Sequence, residues 1–520
     1  MNGVPGSLPA AMLSGVLAAA ASLSVGHLAA VLIAPASSPL FAVGSAFIDA
    51  TPEWLKSFAI RTFGANDKVA LLGGIALTLL VVAMAIGWLG RRHLALASVA
   101  IAALGVAGAV AAFLRPGGSP LSVVPAVVGA AVGIVVLWVL EGTAGPTNAS
   151  RATDATSATT IGPDHASRRR FLVAGAAVGG LIAASGGLAV LIDTRRTSAA
   201  DGTAGPAIPP PLEPLAAVAQ GADLGIAGVA PFITPNATFY RVDTALQVPV
   251  IAPDEWRLRI HGMVDREVTL TLADLLAYPT IERDITLTCV SNEVGGDYAG
   301  NARWIGIPLA TVLEEAGVQA GADQIVSRSI DGMTIGTPTA VALDGRDAML
   351  AVAMNGVPLP AVHGYPVRMI VPGLFGYVSA CKWLVDLELT TFDAYDPYWV
   401  ERGWAKQAPI KTMARIDAPK PFARVHAGKV AIAGVAWAQH RGIERVEVRI
   451  DGGAWSEARL ADVDTVDTWR QWVHEWDATA GSHTLEVRAT DATRETQPEQ
   501  RATPFPDGAT GWHSVVMTVT

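Results

Sequence analysis

The chain has 520 residues, of which 51% are apolar, and carries a formal charge of −9 from 37 basic and 46 acidic side chains. A length of that order exceeds one domain, and a mean hydropathy of +0.39 is too high for a wholly water-soluble protein, so part of the chain is expected in lipid. The acidic balance leaves no basic footprint for nucleic acid. Its two cysteines, with no CxxC pair, CxxCH site or zinc-spaced cluster, argue against zinc, iron–sulfur and c-type haem centres.

Residues 1–142 are read as a membrane region. Four stretches reach the roughly 20 apolar residues that cross a bilayer, at about 9–34, 69–90, 94–114 and 121–140, with no charge in their middles. Residues 143–200 come next, as a polar linker rich in Ser, Thr, Ala and Asp over 143–167 and a fifth span over 171–192. Before that span, Ser167-Arg-Arg-Arg-Phe-Leu172 resembles a twin-arginine export signal. Positive residues flanking a span stay cytoplasmic, so Arg168–Arg170 send the fifth span outward and place the rest of the chain on the extracytoplasmic side. Counting back puts the N-terminus and Arg91-Arg92-His93 inside, in agreement, whereas Arg195 and Arg196 fall outside and oppose it. Only His27 and His93 could serve a membrane haem; His93 sits at a helix end and His27 reads as a packing residue, so the region is expected to anchor or dock without a redox centre. These spans also lack the buried ionisable residues that mark a transport path.

Residues 201–415 read as a globular α+β body after a Pro-rich tether over 201–215. Alternation predicts a strand over Trp256–Gly262, helical spacing a short helix over Leu270–Leu276, then a strand over Asp284–Cys289 and a helix over Leu309–Ala316. Residues 416–520 change to strands and turns: 430–437, 445–450 and 484–489, with a hairpin signal at Asp451-Gly-Gly453. That pattern predicts an immunoglobulin-like β-sandwich. Trp437, Trp455, Trp469, Trp472 and Trp476 are expected as packing in its small core.

The chemistry concentrates in the α+β body. Cys289 ends the strand-like run Thr286-Leu-Thr-Cys289 and enters a polar loop, where a thiolate could hold a metal. A disulfide to Cys381 is the alternative in an oxidising compartment. Downstream come His363-Gly-Tyr-Pro-Val-Arg368, Ile370-Val-Pro-Gly373 and Lys382-Trp383. Together these segments resemble the molybdopterin-binding domain of the sulfite oxidase family, in its membrane-anchored bacterial form. The resemblance implies a molybdenum cofactor ligated by Cys289. It further implies cofactor contacts from Phe239, Tyr240, Arg241, Asp243, Asp331, His363, Arg368 and Lys382, with Cys381 as packing. Planar donors suit pterin edges, and Arg368 and Lys382 suit an anionic phosphate tail.

The chain departs from the family around the substrate. Val290-Ser-Asn-Glu293 puts a carboxylate where the family commonly has an arginine, Tyr240-Arg-Val-Asp243 displaces another arginine by one position, and Trp404 stands where a tyrosine belongs. Cys289, Glu293 and Trp404 are thus the expected catalytic set, and a small substrate less anionic than sulfite, such as a sulfoxide or N-oxide, is expected. A separate electron carrier (a cytochrome, quinone or redox protein) is implied, since the chain offers no other redox centre. The family's sandwich domain implies a homodimer. The competing class is a cofactor-free cell-surface binding module on the same fold.

Overall fold

A computed structural model describes residues 8–33, 37–50, 67–114, 119–144, 163–198, 207–245 and 248–520. They form two compact bodies, Met1–Thr197 with Ala245–Pro249, and Ser198–Thr244 with Val250–Thr520.

The first body is helical: α1 (Leu8–Ile33), α2 (Pro39–Ala50), α3 (Asp67–Arg92), α4 (Leu94–Phe113), α5 (Val124–Ala144) and α6 (Pro163–Ser198). Five of them, all but α2, are long and apolar enough to cross a membrane. The 12-residue α2 is too short to span and was not expected from hydropathy. The expected linker falls largely on residues 145–162, outside the described residues, but 163–167 are already helical because Pro163 opens α6, where a missing N–H costs no bond. Between apolar helices in lipid the attraction is mainly close contact, and small residues provide it here. A Cβ on Gly15 of α1 would collide with the Ala83 carbonyl and lie 2.7 Å from the Gly87 nitrogen of α3, and one on Gly129 of α5 would lie 2.7 Å from the Ser22 oxygen of α1. His27 packs as expected, with Nδ1 3.1 Å from the Ser38 hydroxyl and its ring edge-on to Phe41.

The second body begins with ten strands: β1 (Arg257–Gly262), β2 (Val268–Thr271), β3 (Ile281–Thr288), β4 (Ala299–Pro308), β5 (Gln324–Ser329), β6 (Thr334–Pro338), β7 (Met349–Met354), β8 (Val357–Pro358), β9 (Arg368–Ile370) and β10 (Leu384–Thr390). One sheet runs β2-β1-β10-β5-β6, with β1 and β10 parallel; the other runs β3-β4-β7-β8, with β9 also on β7. The helix expected from Leu270 starts at Leu272. Thr271 caps it, its hydroxyl accepting the Asp274 N–H at 3.1 Å while the Asp274 carboxylate accepts the Thr271 N–H at 2.9 Å, so Leu270 and Thr271 finish β2. The helix Leu309–Ala316 forms as expected and ends at Gly317, whose φ of +72° suits glycine.

Nine further strands build a sandwich: β11 (Met413–Ala418), β12 (Arg424–Val425), β13 (Gly428–Trp437), β14 (Ile443–Ile450), β15 (Ser456–Glu457), β16 (Arg459–Leu460), β17 (Arg470–Ala478), β18 (Gly481–Asp491) and β19 (His513–Val519). Its sheets are β11-β13-β17-β16 and β12-β19-β18-β14-β15. At the expected hairpin Asp451 and Gly452 both have positive φ, +51° and +71°, the geometry that matches strand twist. Trp437, Trp469 and Trp472 are buried, and Trp476 packs against the core half-buried. Trp455 departs from the expected core role. It lies just past the hairpin turn, outside the strands, and packs against Trp512, with Arg449 and Arg488 over its ring.

Candidate functional site

The hairpin β3–β4 places Cys289. Thr288 pairs with Ala299, and the loop between them closes on itself: the Cys289 N–H donates to the Tyr298 carbonyl at 2.9 Å and the Asn292 N–H to the Cys289 carbonyl at 3.1 Å. The strand expected through Cys289 therefore stops at Thr288, and the loop turns the thiol inward, 8% exposed. Its sulfur accepts the Ser291 N–H at 3.4 Å. Burial pushes this thiol up, with Ser291 and the Lys382 charge pulling the other way. A metal cation at the sulfur would supply the positive charge that the thiolate lacks. Cys289 and Cys381 are both free thiols, so the disulfide alternative is not what the structure shows.

An aromatic layer lies beside it. Phe239 stacks on Tyr240 at 5.2 Å and meets Trp304 and His363 edge-on at 5.9 and 5.6 Å; Tyr240 lies 6.2 Å from Tyr298. Gly300 makes room for it, since a Cβ there would sit 2.8 Å from the Phe239 ring. Burial and the neighbouring Cys289 push the Tyr240 hydroxyl up, so it stays protonated. His363 donates through Nε2 to the Asn236 carbonyl at 2.9 Å, and burial lowers it to about 4, leaving a neutral ring.

Three cations gather in this region, two of them on one carboxylate. Asp243 accepts Arg241 Nε at 2.7 Å and Lys382 Nζ at 2.8 Å. Burial pushes Lys382 down to about 8 in spite of that pairing. Arg368, on β9, is 6% exposed and lies over the Trp304 ring at 5.5 Å. Its Nη1 reaches the His363 carbonyl at 3.4 Å, and its buried Nε has no partner among the described residues. An orphaned buried guanidinium nitrogen beside a half-compensated lysine fits an anionic, hydrogen-bonding group, and with the buried thiol it fits a metal-bearing pterin phosphate.

Asp331 accepts the Met333 N–H and the Thr244 hydroxyl, both at 3.4 Å. Cys381 is 1% exposed and burial raises its thiol to about 12, in keeping with packing. Glu293 is exposed, where water screens its charge. Trp404 belongs to an aromatic group with Tyr377 at 5.8 Å, Trp399 at 6.2 Å and Phe505 at 5.3 Å, and its indole N–H is buried without a partner among the described residues. That group adjoins the site, because Gly376, beside Tyr377, has its Cβ position 3.8 Å from the Thr288 carbonyl and 3.9 Å from the Tyr240 hydroxyl. Asn236, Tyr298, Trp304 and Tyr377 were not singled out from sequence as site residues. Strand pairing, which brings Trp304 and Tyr298 to the site, leaves no mark in local spacing.

Residues 245–399 match the family described as the oxidoreductase molybdopterin binding domain, and residues 413–487 match the bacterial Ig domain. The chain is 30% identical over 324 residues to the sulfite oxidase of Gallus gallus, covering 52% of this chain and 69% of that one. It is 30% identical over 317 residues to the mitochondrial sulfite oxidase of Homo sapiens, 58% of whose length it spans, against 52% of its own. An uncharacterized oxidoreductase of Bacillus subtilis, YuiH, is 31% identical over 150 residues, 29% of this chain and 72% of the other. Among solved structures, the sulfane dehydrogenase SoxCD from Paracoccus pantotrophus aligns at a TM-score of 0.48 and 23% identity, covering 57% of this chain and 88% of that one. With its buried thiol, its cation cluster and a sulfite oxidase matched at 30% identity over 69% of that protein's length, the chain belongs to the sulfite oxidase family of molybdopterin-dependent oxidoreductases.

Proposed function

We propose that the chain is a membrane-anchored, extracytoplasmic molybdopterin-dependent oxidoreductase that carries out two-electron oxygen-atom transfer on a small substrate other than sulfite. The observation that carries this reading is the inward-turned thiol of Cys289 beside the Arg368–Lys382 cation cluster, of which one guanidinium nitrogen is buried without a partner among the described residues. When bound, the molybdenum–pterin group supplies the oxygen-atom and electron exchange. The residues supply the rest. Cys289 holds the metal through its sulfur. Arg368, Lys382 and Arg241 neutralise and orient the anionic tail, with Asp243 keeping two of these cations in place. Neutral His363 and Asp331 offer hydrogen bonds to the pterin edge, and Phe239 and Tyr240 exclude water beside the thiol.

Substrate choice rests on the residues that replace the family's anion-binding pocket. Glu293 and Trp404 stand where arginine and tyrosine are expected, so a dianion loses its cationic partner and a neutral sulfoxide or N-oxide is the better fit. The positive charge of Arg168–Arg170 before α6 supports an extracytoplasmic position for the body that follows, against the opposing Arg195 and Arg196. Electrons pass to or from a separate carrier, a cytochrome, quinone or redox protein, and the family resemblance of the sandwich supports a homodimer.

Metal analysis tests the reading. Purified protein is expected to hold molybdenum equimolar with the chain and to lose it in Cys289→Ala. It should turn over a sulfoxide or N-oxide faster than sulfite with an artificial electron dye. A fully folded protein free of pterin and molybdenum would instead support a binding module, and fast, saturable sulfite turnover would overturn the substrate assignment.

A further inference from the structure

Cys289 comes directly after the edge strand of its sheet, and an edge strand ordinarily leaves backbone groups open. Here the C-terminal sandwich closes them. The Thr465 hydroxyl donates to the Asp284 carbonyl at 3.2 Å, and the Thr286 N–H donates to the Asp467 carbonyl at 3.0 Å. The side chain of Gln439, 0% exposed, donates from Nε2 to both the Thr286 carbonyl and the Thr288 hydroxyl at 3.0 Å, and the Trp469 N–H donates to the Thr286 hydroxyl at 2.7 Å. Beyond the cysteine the sandwich grips again. Arg415, on β11, donates from Nη1 to the Gly296 carbonyl at 2.8 Å while Asp417 holds its Nε at 2.7 Å. Gly295 has φ +83°, and a Cβ there would collide with the His513 ring, which itself accepts the Ile416 N–H at 3.0 Å.

Both flanks of the thiol, at Thr286–Thr288 and at Gly295–Gly296, are therefore fixed from a different domain. Within its own hairpin the cysteine has the Tyr298 carbonyl and the Ser291 N–H. We infer that the C-terminal sandwich positions the metal-ligating sulfur, with Gln439 and Arg415 as the positioning residues. The inference rests on Cys289 being the metal ligand. Neither residue touches the thiol: Gln439 acts through the last three residues of β3, and Arg415 through the loop that returns to β4. Buried amide and guanidinium contacts of this kind set backbone position closely, because breaking one leaves a carbonyl without its donor in a dry interface. Outer partners of metal ligands act in the same way, orienting a ligand that they do not share.

The test uses the full, molybdenum-loaded protein. Gln439→Met keeps the length of the side chain and removes both donated bonds. It is expected to retain folding, seen by circular dichroism, and molybdenum content, but to change the sulfur shell in X-ray absorption at the molybdenum edge. Its kcat, measured with whichever of sulfite, sulfoxide or N-oxide the parent turns over, should fall roughly 10–100-fold at unchanged KM, the range for lost outer partners. Arg415→Lys keeps the charge beside Asp417 without the second arm to Gly296 and should shift the same shell. If Gln439→Met fails to fold, Arg415→Lys decides. A metal-loaded variant with the parental sulfur shell and kcat overturns the inference. Identical spectra from the parent and Cys289→Ala would overturn the ligand assignment itself, an outcome distinct from the first.

Discussion

Replacing Arg368 by methionine separates the cost of the cation cluster from its purpose. In the protein without cofactor, Arg368 carries a charge into a site where its Nε has no partner among the described residues and its Nη1 makes one long bond to the His363 carbonyl. Burial pushes this guanidinium below its ordinary value, so the folded state disfavours the charged form. An unsatisfied buried donor costs about 1–3 kcal/mol. Against it stands the loss of the cation over Trp304, worth about 1–2 kcal/mol where water is excluded. Methionine fills a similar volume and stays polarisable, so packing changes little. The net expectation for Arg368→Met is a gain of at most about 1 kcal/mol in the cofactor-free protein, and for a body of more than 300 residues about 1–2 °C in melting temperature. In the same variant cofactor retention should fall, since the tail loses its buried donor. The assay compares thermal unfolding of detergent-solubilised parent and variant from a host unable to make the cofactor, with pterin and molybdenum measured in material from a competent host. A cofactor-free variant that melts several degrees below the parent would refute the reasoning, because the charge would then be compensated within the protein.

Lys382 titrates with a defined sign. Its folded value of about 8 lies below its ordinary value of 10.5, so between these pH values the unfolded chain keeps a proton that the folded chain has released. Stability of the cofactor-free protein should therefore rise with pH across that window, and Lys382→Met should remove the rise; parallel pH profiles of melting temperature for parent and variant would contradict this. In the membrane body, Gly15→Val drives a branched side chain into the Ala83 carbonyl on α3. The expected loss is about 1–3 kcal/mol of stability in detergent micelles, and an unchanged melting temperature would mean that α1 and α3 do not meet there.

Local composition was enough to read the membrane helices, because twenty apolar residues in a row have one low-energy environment regardless of their neighbours in the chain. The short α2 escaped that reading, since a largely apolar stretch of 12 residues is too short to signal a span. Period and turn chemistry likewise carried β1, the helix Leu309–Ala316 and the Asp451–Gly452 hairpin, all of which depend on neighbours a few residues away. Even there Thr271 moved a boundary by two residues, through a side chain that served one element as a cap and the other as its last strand position.

The candidate site divides along the same line. Cys289, His363, Arg368 and Lys382 could be picked out because the short stretches that carry them, taken together, resemble the family's cofactor-binding segments. That Asp243 holds both Arg241 and Lys382, that Arg368 keeps a nitrogen unpartnered, and that Glu293 faces water while Trp404 packs among aromatics are consequences of burial and pairing between distant segments. Gln439 and Arg415 lie more than a hundred residues from the strand end and the loop that they hold. Sequence alone determined which elements form and which side chains are chemically equipped, since both depend on local covalent structure and polarity. Tertiary structure alone decided which charges stay uncompensated and which domain steadies the thiol, because those depend on separations through space that no local spacing encodes.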